Sequence, residues 1–314
     1  MLTKIRTLFR LVVTRHRIGF RSFSEWFAFV MQLNPVLNLL FASWFGAIRN
    51  PRGMNASCAH AIVNRGFGFG GLRAMSPEDR IRFSSVVLRV RPLEEADAAE
   101  RERQPLRELN DVGFARFAGL LDTATVEAAK EHFARCPHFI SQIYAQSDRR
   151  PIERDWRTYE INPGFRYVSF RRTSSLDFLS QLPLLSEMKR LADAYCGFDT
   201  HLYGMNTFCT LPGAGKDYAM RIHRDYDDFG FLTFFIAWTK TDGDDGATVF
   251  CPRSHRLSSA VDPFVPLSAE AGDVFAADTF GLHAGNAAVV RPRLATWIRW
   301  GRTTNLATIQ DGPE

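Results

Sequence analysis

Cysteine is scarce in this chain of 314 residues. The five present, Cys58, Cys136, Cys196, Cys209 and Cys251, are odd in number, widely spaced and contain no CxxC. That excludes a disulfide framework and fits reduced thiols in a cytoplasmic protein. Zinc-finger spacing and RNP-like aromatic motifs are missing too. The net charge of +5 is spread along the chain, so charge alone speaks for nucleic acid and no such partner is expected. No cleaved secretory signal is expected, because LTKIRTLFRLVVTRHRIGF is interrupted by charge throughout. There is no internal repeat and no low-complexity tract. What is present, 46% apolar and 13% aromatic residues, is ample for a buried core.

Acids are absent from the first 24 residues, which carry Lys4, Arg6, Arg10, Arg15, Arg17 and Arg21. The stretch WFAFVMQLNPVLNLLFASWFGAI, residues 26–48, then runs uncharged. It is long enough to span a bilayer, but Pro35 interrupts it, Gln32, Asn34, Asn38 and Ser43 are polar, and cations flank both ends. Two readings stand: a helix or helical hairpin at a membrane interface, making peripheral contact through residues 1–50 at the inner face, or helices covering the main core. The glycines of NRGFGFGGLR, residues 64–73, follow no clear strand and read as a loop. Ser76 and Pro77 look like a helix cap followed by a first-turn proline, and residues 93–109 read as a helix or charged linker. The boundary is set there, giving a helical region over 1–105 and a main domain over 106–314.

From residue 111 the pattern changes. VGFARFAGLL reads as a strand and turn, Asp122 caps a helix through Phe133, and a second helix runs from Pro183 to Gly197. Short β-like segments follow at 201–211, 231–238, 247–251, 273–278 and 294–300. Many short strands after a helical lead argue for a sandwich or barrel.

Within RIHRDYDDFG, residues 221–230, His223 and Asp225 share a face of an extended chain while Arg224 points away. Asp227 and Asp228 belong to the turn or rim. His283 lies far downstream in GDVFAADTFGLHAGN. Two histidines and one carboxylate leave three positions of an octahedral ion open, the pattern of non-haem Fe(II) oxygenases. Arg293, at the start of the last strand, could pair bidentately with a carboxylate, and Arg291 is its competitor by parity.

These pieces, in this order, resemble the phytanoyl-CoA dioxygenase-like branch of the Fe(II)/2-oxoglutarate oxygenases over roughly residues 107–303. NDVGFARFAGLLDTATVEAAKEHF looks like the family's opening strand and helix, RIHRDYDDFG its HxD segment, GATVFCPRSHR its PGSH segment, and GDVFAADTFGLHAGNAAVVRPR its closing segment. The resemblance implies a mainly β fold with flanking helices, a double-stranded β-helix or jelly-roll, cupin-like barrel, after the helical N-terminal region. It implies Fe(II) on His223, Asp225 and His283, with Arg293 on the distal carboxylate of 2-oxoglutarate and Met205 and Trp238 walling that pocket. His255 matches a loop histidine rather than a ligand. Arg253 departs from the pattern, standing where the family commonly has glycine, which would stiffen the loop or reach toward an anion. Asp225 stands where related halogenases have Gly or Ala, which favours hydroxylation.

The activity so implied consumes O2 and 2-oxoglutarate and releases succinate and CO2. Two alternatives have other requirements: a zinc hydrolase on the same ligands has no use for Arg293, and a non-catalytic membrane-associated binding protein has no need of a complete ligand set. For substrate, DWRTYEINPGFRYVSFRRT, residues 155–173, gathers Trp156, Arg157, Tyr159, Arg166, Tyr167, Arg171 and Arg172. That composition suits an anionic or sugar-like small molecule, or a lipid-linked saccharide if residues 1–50 lie on a membrane. It equally suits strand edges with core aromatics.

Overall fold

A computed structural model describes residues 76–78, 80–81, 100–142, 151–159, 165–212, 221–226, 230–243, 245–259, 262–286 and 290–301. The chain divides into two compact units, Met1–Arg91 with Tyr226–Phe229, and Pro92–Asp225 with Gly230–Glu314. In the first, Pro77 opens a helical turn and the Arg80 N–H donates to the Ser76 carbonyl at 3.0 Å. Residues 1–50 and 64–73, with the membrane and loop readings placed on them, lie outside the described residues. Among the described residues no helix is long and apolar enough to cross a membrane.

The second unit opens with α1, Glu100–Asp111, which runs through the boundary at 105 and buries Leu106 and Leu109. Helix α2, Thr123–Arg135, starts where Asp122 accepts a hydrogen bond from the Thr125 N–H at 2.7 Å. Helix α3 is Arg172–Leu179, and α4, Leu184–Cys196, begins after Pro183 and is closed by Gly197 at φ 72°.

The strands form two antiparallel sheets. The larger runs β1 (Phe114–Phe117), β8 (Val274–Ala277), β5 (Phe231–Ala237), β10 (Arg293–Gly301), β4 (His201–Thr210), β3 (Phe165–Phe170) and β2 (His138–Gln142). The smaller runs β7 (Val265–Pro266), β6 (Val249–Phe250) and β9 (His283–Ala284). This is the jelly-roll type expected. Residues opposed across antiparallel strands share a face, so the register sorts the larger sheet into two faces. Leu232, Phe234 and Ile236 of β5 join Met205, Leu294 and Ile298 in a core with Phe133, Leu179 and Leu191 of the helices. Phe235, Ala237, Phe275 and Ala277 face the other way, against Phe250, Leu267 and Ala269. With both faces covered, FLTFFIA in β5 is apolar almost throughout and shows no alternation.

One polar chain threads the helix-side core. The Trp238 indole N–H donates to Thr296 Oγ1 at 2.8 Å, Thr296 and Thr207 hydroxyls meet at 2.7 Å, and Thr207 and Ser175 at 2.7 Å. All four side chains are fully buried. A carbonyl can only accept, so the direction is set from that end: Ser175 donates to the Arg171 carbonyl at 3.5 Å, Thr207 to Ser175, and Thr296 to Thr207.

Candidate metal centre

His223 and His283 are joined by their backbones. The His223 N–H donates to the His283 carbonyl at 2.9 Å and the His283 N–H returns the bond at 3.0 Å. β9 pairs with β6 on its other side, with Phe250 opposite His283. Asp225 is fixed by its N–H to the Thr279 carbonyl at 2.9 Å. Arg224 between them turns away, as the two-residue period requires, and donates to the Ser254 and Phe280 carbonyls at 2.6 Å each. Gly281 has no room for a side chain: a Cβ there would sit 2.3 Å from Phe250 Cζ.

The three side chains converge. His223 Nε2 lies 3.7 Å from Asp225 Oδ1, His283 Nε2 lies 3.6 Å from Asp225 Oδ2, and the imidazole centroids are 4.3 Å apart. One ligand atom from each falls within 4.8 Å of the others. His223 Nδ1 is 2.7 Å from the Arg221 carbonyl and His283 Nδ1 is 2.9 Å from the Gly281 carbonyl. A carbonyl only accepts, so both Nδ1 atoms carry the proton and both Nε2 lone pairs face the shared space. Burial holds the His283 imidazole below its ordinary pKa, outweighing the pull of Asp225, and favours the neutral, ligating form. Burial would raise the Asp225 carboxyl, but Arg299, His283, His223 and a hydrogen bond from Thr279 hold it below the usual range, as the carboxylate. Two imidazoles presenting Nε2 and a carboxylate on one side of a point fit a divalent ion with open positions.

Arg293 and Arg291 part company. Arg291 is half exposed and bound to the buried Asp245, its Nε donating to Oδ2 at 2.8 Å and its backbone N–H to Oδ1 at 3.1 Å. Arg293 is 7% exposed, facing a small cavity between the sheets lined by Phe235, Thr248, Leu267 and Phe275. Its guanidinium lies 5.5 Å from the Phe208 ring centroid. Its one hydrogen bond among the described residues runs from Nη2 to Thr248 Oγ1 at 3.3 Å, and its Nε has no partner there. Burial lowers its pKa to about 10, leaving it charged at neutral pH without a carboxylate beside it. Such a group is poised for an anion.

Met205 and Trp238 require a correction. Both are buried on the helix-covered face, away from Arg293. Along β10, Arg293, Ala295, Trp297 and Arg299 alternate with Leu294, Thr296, Ile298 and Trp300, and Met205 opposes Ile298. Trp238 packs on Phe133 and Phe178, with centroids at 6.3 and 5.9 Å. On the face that Arg293 shares stand Phe208, Phe235 and Thr248 instead. Arg299, which donates to Asp225 Oδ2 at 2.6 Å, was also missed, although its parity with Arg293 was legible.

The remaining expectations sort themselves. His255 is fully buried and outside the cluster, pressed under Gly113, where a Cβ would meet its Nδ1 at 2.6 Å. Arg253 adopts φ 64°, the left-handed conformation that glycine takes freely, and the anion it reaches is Asp262, at 2.6 and 2.7 Å. Of the 155–173 cluster, Trp156 is in the core, Arg157 is paired with Asp155 and Glu131, and the Tyr159 hydroxyl meets His138 Nε2 at 2.7 Å. Tyr167 packs edge-on against Phe208, and Arg171 lies 5.7 Å over the Phe139 ring.

No family model and no curated protein matches the sequence. Solved structures resemble it at low identity. The non-haem α-ketoglutarate-dependent epimerase SnoN from nogalamycin biosynthesis is 17% identical, covering 64% of this chain and 82% of its own, with a TM-score of 0.48. AviO1 from Streptomyces viridochromogenes is 16% identical over 66% of this chain and 97% of its own, TM-score 0.47. HygX from Streptomyces hygroscopicus, with nickel, 2-oxoglutarate and hygromycin B bound, is 14% identical over 64% and 88%, TM-score 0.44. At such identities what this chain does has to be argued from its own side chains.

Proposed function

We propose that the chain is an Fe(II)- and 2-oxoglutarate-dependent dioxygenase that hydroxylates a C–H bond of a small-molecule or lipid-linked, anionic or sugar-like substrate. The observation that carries this is the convergence of His223 Nε2, His283 Nε2 and Asp225, with both Nδ1 atoms tied to backbone carbonyls. Those three residues would hold the iron. The buried, carboxylate-free guanidinium of Arg293 supports the cosubstrate half, since it would neutralise the distal carboxylate of 2-oxoglutarate with Thr248 beside it. That arrangement also disfavours a zinc hydrolase, which leaves Arg293 without a task.

Iron with 2-oxoglutarate supplies the oxidant, one oxygen atom of O2 leaving in succinate and the other entering the substrate. The chain's own residues orient and seclude. The apolar side chains of Phe235, Phe275 and Leu267 keep water from the space beside Arg293, which strengthens its pairing with an anion. Asp225 supports hydroxylation over halogenation, because its carboxylate takes the position a halide would need.

The test is anaerobic titration with Fe(II) and 2-oxoglutarate, followed by a screen of anionic and sugar-like compounds for succinate release in air. One Fe(II) bound per chain and substrate-stimulated succinate are expected. An intact protein that binds iron but never turns over 2-oxoglutarate would sink the assignment.

A further inference from the structure

We infer that Arg299 is a positioning residue for the metal centre: by occupying Oδ2 of Asp225 it leaves that carboxylate one oxygen, Oδ1, to give to a metal ion. The inference rests on the reading of His223, Asp225 and His283 as metal ligands.

Both ends of this contact are anchored. Arg299 sits in β10 between two strands, opposite Gly204 of β4 and Thr233 of β5. Its guanidinium lies 4.7 Å from the Trp297 ring centroid, and Nη2 donates to Asp225 Oδ2 at 2.6 Å. Gly204 makes that placement possible, because a Cβ there would stand 3.1 Å from Trp297 Cζ3. Asp225 is held by its backbone N–H on Thr279. With side chains 19% and 12% exposed, the ion pair is sheltered and weakly screened. Oδ2 also lies 3.6 Å from His283 Nε2, so the guanidinium competes with a metal ion for this oxygen, while Oδ1 has no such competitor.

A guanidinium beside a dication opposes it electrostatically, so raw metal affinity is a poor account of Arg299. Denticity is a better one. Two imidazoles and one carboxylate oxygen occupy three of six positions, 2-oxoglutarate takes two, and one remains for O2. A carboxylate binding through both oxygens would fill that last position. Arg299 keeps it open by engaging Oδ2 in a charge-assisted hydrogen bond.

Nitric oxide serves as the probe for the open position, added anaerobically to the full chain loaded with Fe(II) and 2-oxoglutarate and followed by visible absorption and EPR. Wild type is expected to bind it. Arg299→Met is expected to retain Fe(II) and 2-oxoglutarate but to bind nitric oxide about tenfold or more weakly. Arg299→Lys, which still presents a donor to Oδ2, is expected to recover part of that loss and also carries the test if the methionine variant does not fold. Wild-type nitric oxide affinity in Arg299→Met, or a lysine variant no better than methionine, would overturn the inference alone. A wild-type chain that takes up no Fe(II) would overturn the metal-centre reading and the inference together.

Discussion

His223 and His283 exchange both of their backbone hydrogen bonds, so the spacing of the two imidazoles is set by main chain rather than by side-chain packing. Truncating either imidazole therefore leaves the strand contact in place. His223→Ala and His283→Ala are expected to fold, with a melting temperature close to wild type, and to lose metal affinity by roughly 100-fold or more. Thermal unfolding and anaerobic calorimetric titration with Fe(II) measure the two.

The two arginines that compete in sequence are expected to separate by opposite signs. Arg293→Met removes a buried charge that has no carboxylate, so stability should hold or rise, by about 1 kcal/mol, while 2-oxoglutarate binding is lost. Arg291→Ala strands the buried Asp245 carboxylate, so the melting temperature should fall while 2-oxoglutarate affinity is kept. Thermal unfolding and ligand titration of the two variants side by side decide this.

Gly281→Ala tests the seat of His283. The new methyl would collide with Phe250, and over-packing of this kind costs about 1–3 kcal/mol. Because the Gly281 carbonyl orients His283 Nδ1, metal affinity should weaken along with stability. Urea unfolding and Fe(II) titration report the two losses, and a variant that loses neither would show that β9 can shift without consequence.

His138 gives a pH signature apart from the metal ligands. It is fully buried against Tyr159, and burial lowers its pKa below the ordinary 6.5 despite a hydrogen bond to the Cys136 carbonyl and the nearby Asp155. The unfolded chain then binds this proton more readily than the folded one. The stability tied to the neutral ring is present above 6.5 and is lost as pH falls. Metal-free wild type should melt lower at about pH 5 than at pH 7, and His138→Gln, which can still meet the Tyr159 hydroxyl, should show a shallower decline.

Much of the frame was legible in the residues. Asp122, Pro183 and Gly197 mark helix ends because capping chemistry is local, and the HxD spacing announces a shared face because the strand period is two. What failed was the assignment of a face to a buried strand. Met205 lies within β4 and Trp238 just past the end of β5, where the sheet is covered on both faces and buried residues fall on both sides, so alternation gives no clue. Arg299 escaped for a different reason: its parity with Arg293 is plain along β10, but its partner Asp225 lies 74 residues away and only the fold brings the two together.

The buried hydroxyl chain from Trp238 through Thr296 and Thr207 to Ser175 bears on that register. Apolar side chains tolerate sliding, whereas this chain of hydroxyls loses both links to Thr296 if β10 slips one residue past β4. The same slip would swing Arg293 and Arg299 into the helix-side core. The relay thus works as a combination lock: its tumblers are neutral alcohols, and the setting they admit is the one that turns both guanidinium groups to the face away from the helices.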